Sequence, residues 1–212
     1  VGPSYIEQVL TQANKQIEQR EQENYCRWLI DSSTSEIEAG TATNSPDAIA
    51  ALKSTNPGGW VSSDIGICPV SGSLCHFGGP RRTISNSSLA DYEPVPGGQN
   101  CVRCRFFVTG PNYLGGLVAH FNTIGFRLGE AADVVRRREQ AVEEFEIRLL
   151  DLDGKGAPRA EIDETTQALN VAGQRLDQAT TELDHHALNW HACLKLIERS
   201  RAIMSRRAEG TS

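Results

Sequence analysis

The chain has 212 residues, enough for one domain or two small ones with a hydrophobic core of their own. Its net charge is −6, from 21 lysines and arginines against 27 aspartates and glutamates. This balance excludes a generally basic nucleic-acid-binding protein and confines any phosphate contact to a local patch. No apolar run is long enough to cross a bilayer and no secretory signal pattern is present, so we expect a cytoplasmic protein without membrane contact.

The first segment, 4–32, has the apolar spacing of an amphipathic helix. Its apolar residues recur at alternating steps of four and three: Ile6, Leu10, Ala13 and Ile17. Ser4 is a suitable N-cap, and Glu7 three residues later completes a capping box. The following stretch, 31–59, is rich in polar residues and glycine, so it predicts a linker with one short helix after Pro46.

From Leu114 the sequence predicts two long antiparallel helices. The apolar seam of the first arm consists of Leu117, Phe121, Ile124, Leu128, Ala131, Val135, Val142, Phe145, Leu149 and Leu152. A glycine-containing turn at 153–158 then breaks the helix and places a proline ahead of the next one. In the second arm, every seventh residue is apolar: Ile162, Leu169, Leu176, Leu183, Trp190, Ile197 and Met204. This repeat predicts a coiled-coil-like hairpin with arms of roughly 50–65 Å.

Details of the hairpin follow from the same repeat. A second seam of small residues is expected at Thr166, Gly173, Thr180 and Ala187, with Ala172 and Ala179 beside it. Arg138 interrupts the first seam, where we expect it to pair with Glu182 or Asp184 of the other arm. The N-terminal helix is expected to pack alongside as a third helix of the bundle. Heptads can be satisfied within one chain or between chains, so a homo-oligomer stays open.

Four cysteines lie within one segment rich in glycine and proline. Cys101 and Cys104 have the two-residue spacing that presents two thiolates to one tetrahedral ion, and Cys68 and Cys75 supply the second pair. Because Cys75 and His76 are adjacent, only one of them is expected to bind, and we favour Cys75 with His76 as the substitute. The pattern predicts a structural zinc site, with unligated thiols or a disulfide as the alternatives.

The same segment is locally basic. Its arginines exceed its acidic residues by two, so they are candidate phosphate contacts: Arg81, Arg82, Arg103 and Arg105. The alternative is that they offset the charge of a thiolate site and bond to backbone carbonyls. A second basic stretch, 195–207, complements the dipole at the end of the last helix, and a nucleic-acid patch is the alternative there.

Three stretches of this segment carry a family resemblance. They read CPVSGSLCHFGGP at 68–80, YEPVPGG at 92–98 and NCVRCRFFVTGP at 100–111. Together they resemble the cysteine-rich region of gamma-mobile-trio integrase-like proteins of bacterial mobile elements. The resemblance implies the C-terminal portion of a protein similar to site-specific recombinases, acting with DNA and with protein partners of a mobile-element complex. Tyrosine recombinases need an H-x-x-R element, which this chain lacks, so the resemblance implies membership and not activity.

The sequence therefore predicts a mainly α fold: a long antiparallel helical hairpin plus an N-terminal helix, with a small irregular zinc-binding knuckle. We expect three parts, at 1–59, 60–112 and 113–212, and a non-catalytic role in DNA positioning and protein interaction. One alternative is a structural oligomerisation arm in which zinc only stabilises the fold. Another is a zinc-dependent hydrolase or deaminase, although Asn100 stands where deaminases have proline before the CxxC pair and no H-x-E occurs.

Overall fold

The computed structural model describes residues 4–82, 91–97 and 100–210, which form a mainly helical protein. Its helices are α1 (Tyr5–Asp31), α2 (Thr34–Gly40), α3 (Asp47–Ser54), α4 (Leu114–Gly154) and α5 (Arg159–Glu209). Its strands are β1 (Ala42–Thr43), β2 (Val61–Ser63), β3 (Gly66–Cys68), β4 (Arg81–Arg82), β5 (Asp91–Tyr92) and β6 (Val108–Thr109). The chain divides into two compact units, Val1–His120 with Ala192–Ser212, and Phe121–His191. A helix able to span a membrane is not found in the described part of the chain.

Helix α1 begins as predicted, because the Ser4 hydroxyl accepts from the Glu7 amide while the Glu7 carboxylate accepts from the Ser4 amide. Only its last turns are buried, at Tyr25 and Leu29. Leu10 is 56% exposed, as are its neighbours along the predicted seam to similar extents. The helix is therefore anchored through Tyr25 and Leu29, which lie on a different face from Leu10.

The segment expected to be a linker contains more structure than α3. Helix α2 starts with a second capping box, between Ser33 and Glu36, and strand β1 follows it. These elements contribute to one hydrophobic core: Tyr25, Leu29, Ile37, Ala48, Ile49, Leu52, Ile67, Val108 and Tyr113. The core therefore joins the end of α1, α2, α3, the sheet and the turn that precedes α4.

The main sheet is antiparallel, with strand order β1-β6-β3-β2, and β4 pairs with β5 separately. Strands β2 and β3 form a tight hairpin, in which Val61 pairs with Cys68 and Ser63 with Gly66. Strand β6 begins only at Val108, and the residues Cys101–Arg103 before it form a 3₁₀ turn.

The two long helices confirm the predicted hairpin. Helix α4 begins at Leu114, and α5 begins directly after Pro158. In the unit that contains residues 121–191, the rings of Phe121 and Trp190 stack with centroids 4.7 Å apart. In the other unit, the Cys193 thiol lies 3.5 Å from the Leu117 carbonyl oxygen.

The companion seam of α5 differs from the prediction by one position. Its buried members are Thr165, Ala172, Ala179, Cys193 and Ser200, whereas Thr166, Thr180 and Ala187 are exposed. The three-residue step from Ile162 to Thr165 keeps both seams on one narrow face, as in a regular heptad. Met204, placed on the seam by the repeat, is 47% exposed, and Ile203 is buried in its place.

Arg138 does not meet its predicted partners. It is exposed and lines a groove of about 380 Å³ with Glu164, Gln167 and Arg175 of α5. The short turn after α4 fixes the antiparallel register, so α5 residues 164–175 lie beside Arg138. The expected pairing with Glu182 or Asp184 is therefore wrong.

Candidate metal centre

The four cysteines of the predicted zinc site line one small cavity. Cys68, Cys75, Cys101 and Cys104 surround a volume of about 20 Å³, and the rest of the wall is mainly apolar: Val70, Val95, Asn100 and Phe107. All four are free thiols in this structure. The fold therefore brings together two cysteine pairs that lie far apart along the chain.

Each of the four cysteines lies at the first or last position of a short strand or turn, or directly after one. Cys68 is the last residue of β3, and Cys75 opens a 3₁₀ turn. Cys101 opens the second 3₁₀ turn, which the Cys104 amide closes by donating to the Cys101 carbonyl at 3.0 Å. Gly72 has a φ of +74°, and its amide donates to the Cys68 sulfur at 3.3 Å. A positive φ favours glycine, so this residue lets the chain fold back onto the first thiol.

Two adjacent glycines let three segments meet at the cavity. A Cβ on Gly78 would lie 2.9 Å from the Cys104 sulfur, and one on Gly79 would lie 2.4 Å from the Pro94 carbonyl oxygen. Because these glycines have no side chain, the segments approach closely enough for backbone hydrogen bonds. The Val95 amide donates to the Cys75 carbonyl at 3.1 Å, and the Arg105 amide donates to the Gly78 carbonyl at 2.8 Å. In the sequence, the adjacent residues Gly78 and Gly79 were the signal that could have predicted this close packing.

An asparagine outside the cysteine segment supports the CxxC turn, and sequence reasoning missed it. The Asn44 side-chain amide donates to the Val102 carbonyl at 2.8 Å and to the Cys104 carbonyl at 3.3 Å. This contact ties the turn to the chain between β1 and α3. Nothing in the local sequence around Asn44 indicates a partner some sixty residues away.

Burial and mutual proximity shape the electrostatics of the thiols. Burial, followed by the charges of the other three cysteines, raises the pKa of Cys101 to about 11. Burial also raises the pKa of Cys104, against the opposing effect of amide hydrogen bonds from Phe106 and Phe107. Amides aimed at sulfur stabilise a thiolate, and four thiolates close together require a neighbouring cation. The donor set therefore fits a soft divalent cation.

The structure places the two adjacent candidate ligands, Cys75 and His76, differently. Cys75 faces the cavity, whereas His76 is exposed and packs its ring on Phe77 with centroids 4.2 Å apart. In the residues that the structure describes, however, no three His, Cys, Asp or Glu side chains are arranged to hold a metal ion. The sulfurs thus converge on one cavity without forming a coordination shell.

The four predicted phosphate contacts occupy different environments. Arg105 is held on several sides: its guanidinium donates to Asp47 and to the Phe77 carbonyl, each at 2.9 Å, and lies 3.4 Å from the centre of the Tyr92 ring. Its side chain is only 18% exposed. These contacts tie the cysteine segment to α3.

The other three arginines are more accessible or differently placed. Arg81 and Arg82 form strand β4 and are exposed, and Arg82 pairs with Glu93 at 3.6 Å. Arg103 is half-buried within the CxxC turn, and burial lowers its pKa. The structure therefore separates one largely buried arginine, Arg105, from two that are exposed on β4.

Comparison of the chain with protein-family models, with curated proteins and with solved structures gives no match. The arrangement of its own residues therefore carries the functional argument.

Proposed function

We propose that the chain is a non-catalytic module in which Cys68, Cys75, Cys101 and Cys104 hold a structural zinc ion. In this proposal it positions DNA and protein partners within a mobile-element recombination complex in the cytoplasm. The convergence of four thiols on one cavity is the observation that carries the metal assignment. The resemblance of the cysteine segment to gamma-mobile-trio integrase-like proteins supports the recombination context.

Zinc is the metal that suits this donor set. Four thiolates form a closed tetrahedral site of the structural kind, in which all coordination positions come from protein. The sulfurs must draw closer on binding, because the described residues do not yet form a ligand group.

A structural role is favoured over hydrolysis or deamination for two reasons. A four-cysteine ligand set leaves no position for the water that these reactions need. The cavity of about 20 Å³ also leaves no room for a substrate beside the thiols.

The DNA contact is assigned to Arg81 and Arg82. Both are exposed on β4, where Arg82 also pairs with Glu93, whereas the Arg105 side chain is only 18% exposed and bonds Asp47 and Phe77. Arginine side chains in solvent can reach phosphate oxygens, and such contacts set position rather than sequence preference.

Fluorescence anisotropy with a labelled DNA duplex, at two salt concentrations, tests this assignment. We expect the wild-type affinity to fall as salt rises and the variant R81A/R82A to lose most of the binding. The control R136A/R137A removes the same charge from exposed positions on α4 and should bind like the wild type. Absence of wild-type binding in a zinc-loaded protein would instead support the purely structural scaffold.

A further inference from the structure

Strands β4 and β5 form a two-stranded ribbon that is separate from the main sheet. In this β4–β5 ribbon Arg81 pairs with Tyr92 and Arg82 with Asp91. A two-stranded ribbon is at best marginally stable by itself in water. The two arginines are exposed, so their burial does not hold the ribbon in place. Its position therefore depends on the residues that its ends contact.

The ends of the ribbon are bonded to the turn that carries Cys75. The Gly79 amide donates to the Glu93 carbonyl at 2.9 Å, and the Glu93 amide donates to the Pro80 carbonyl at 3.0 Å. Two residues further along the chain, the Val95 amide donates to the Cys75 carbonyl at 3.1 Å. Backbone hydrogen bonds thus connect the ribbon directly to one of the proposed zinc ligands.

The chain that leaves the ribbon also encloses the metal cavity. Val95 lines the cavity beside the four cysteines and is only 4% exposed. A Cβ on Gly78 would lie 2.6 Å from the Val95 side chain and 2.9 Å from the Cys104 sulfur. The described thiols do not yet form a ligand group, so they must draw closer around a metal ion. Because this packing leaves no spare space, that contraction changes the contacts of Val95 as well.

We infer, in a step that rests on the proposed zinc and DNA sites, that zinc binding fixes the β4–β5 ribbon and thereby raises the affinity of Arg81 and Arg82 for DNA. A ribbon that is in place only part of the time lowers the apparent affinity by that fraction. The coupling is reciprocal, so bound DNA must raise the affinity for zinc by the same factor.

The direction of the effect separates positioning from simple charge attraction. Four thiolates around one divalent cation carry a net negative charge, so the metal site itself offers no attraction for phosphate. A gain in DNA affinity on zinc binding must therefore come from the position of the two arginines.

Hydrogen exchange on the full-length chain, kept reduced, tests the attachment of the ribbon without DNA. We expect peptides covering 75–82 and 91–97 to exchange at least about tenfold faster in EDTA than in zinc, because the Gly79, Glu93 and Val95 amides lose their partners. A peptide from 192–209 of α5 is the control and should exchange equally in both. Exchange of the ribbon peptides that does not respond to zinc would overturn the coupling.

Fluorescence anisotropy with a labelled DNA duplex tests the consequence for binding. Removal of zinc should weaken wild-type binding by about tenfold, within the usual range for coupled sites, and the residual binding of R81A/R82A should not respond to zinc. Competition with a chelator should show that the duplex raises the zinc affinity by the same factor. A chain that takes up no zinc, or that binds no DNA when loaded with zinc, would contradict the proposed function itself. A chain that binds zinc and DNA independently would overturn the coupling alone.

A substitution at Gly79 tests the ribbon with all four cysteines kept. A Cβ at this position would lie 2.4 Å from the Pro94 carbonyl oxygen and 2.7 Å from the Glu93 carbonyl oxygen, so Gly79→Ala pushes the ribbon off the Cys75 turn. At saturating zinc we expect this variant to lose about tenfold in DNA affinity. The control Gly59→Ala, whose Cβ would meet the Ser71 hydroxyl oxygen at 3.7 Å, should bind like the wild type. Wild-type DNA affinity in Gly79→Ala would overturn the role of the ribbon.

Discussion

The helical hairpin and the cysteine segment reach their folds by different means. In the hairpin, one kind of contact repeats every seven residues, so the seam from Ile162 to Ile197 is buried or half-buried at each repeat. In the cysteine segment almost every contact occurs once, such as the Asn44 amide on the CxxC turn or Gly78 against the Cys104 sulfur. The loss of one contact therefore has different consequences in the two regions. A repeated seam shares its stability among many positions, whereas the irregular segment depends on a few close approaches and, in our proposal, on a metal ion.

The largest effect is expected at a close approach between α4 and the β2–β3 turn. A Cβ on Gly116 would lie 1.8 Å from the Asp64 carbonyl oxygen, whereas one on Gly115 meets nothing within 4 Å. We expect Gly116→Ala to lower the free energy of unfolding by about 3 kcal/mol or more, because backbone must move. Gly115→Ala should raise it by a few tenths to about 1 kcal/mol through helix propensity. Urea denaturation of both variants checks the contrast, and equal effects would show that this approach is not close in solution.

The next effect tests which companion seam α5 uses. Ala179 is 8% exposed and its neighbour Thr180 is exposed. Ala179→Lys should cost about 2–3 kcal/mol of unfolding free energy, because an ammonium and its long side chain have no space between the helices. Thr180→Lys should change it by less than about 0.5 kcal/mol. Thermal unfolding of the pair would contradict the assigned seam if Thr180→Lys were the more damaging change.

A smaller effect is expected for the arginine that links the cysteine segment to α3. Arg105→Gln removes the ion pair with Asp47 and the stacking on Tyr92, at a cost of about 1–2 kcal/mol. Since this guanidinium is bonded internally, DNA affinity should stay at the wild-type level. Stability by urea titration and affinity by anisotropy measure the two quantities separately. A large loss of DNA binding in a stable Arg105→Gln variant would place this arginine among the phosphate contacts.

The smallest effect concerns a buried hydroxyl in the hairpin. The Ser200 hydroxyl oxygen has no hydrogen-bond partner among the described residues, and its side chain is fully buried. Ser200→Ala should leave the unfolding free energy unchanged or raise it by up to about 1 kcal/mol, because an unsatisfied polar group leaves the interior. Calorimetry measures the change, and a clear loss of stability would reveal a bonding partner for this hydroxyl.

The sequence could predict the hairpin because its signals are local and repeated. Ser4 with Glu7 marked the start of α1, and Pro158 marked the start of α5 within one residue. It could not distinguish a three-residue from a four-residue step to the companion seam, since Ala172 and Gly173 are both small. It also could not show which apolar residues of α1 are buried, since Ile6 and Leu10 are exposed whereas Tyr25 and Leu29 are in the core.

The candidate site was predictable in its composition and only partly in its geometry. The CxxC spacing indicated that Cys101 and Cys104 would face one point, and the second pair does line the same cavity. The supporting contacts of Asn44 and Asp47 could not be predicted, because they join residues some sixty positions apart and leave no periodic trace. Arg105 has the same residue type and charge as Arg81, and only the fold shows that one is paired internally.

The central claim is that zinc completes the cysteine segment, and metal analysis of the full-length chain tests it most directly. The protein purified under reducing conditions should contain about one zinc ion per chain. C101S/C104S should lose that zinc, while C26S, which changes a cysteine outside the cavity, should keep it. Removal of zinc with a chelator should open residues 60–112 to protease and leave α4 and α5 helical. A wild-type chain that contains no zinc and resists protease equally with and without chelator would contradict the account.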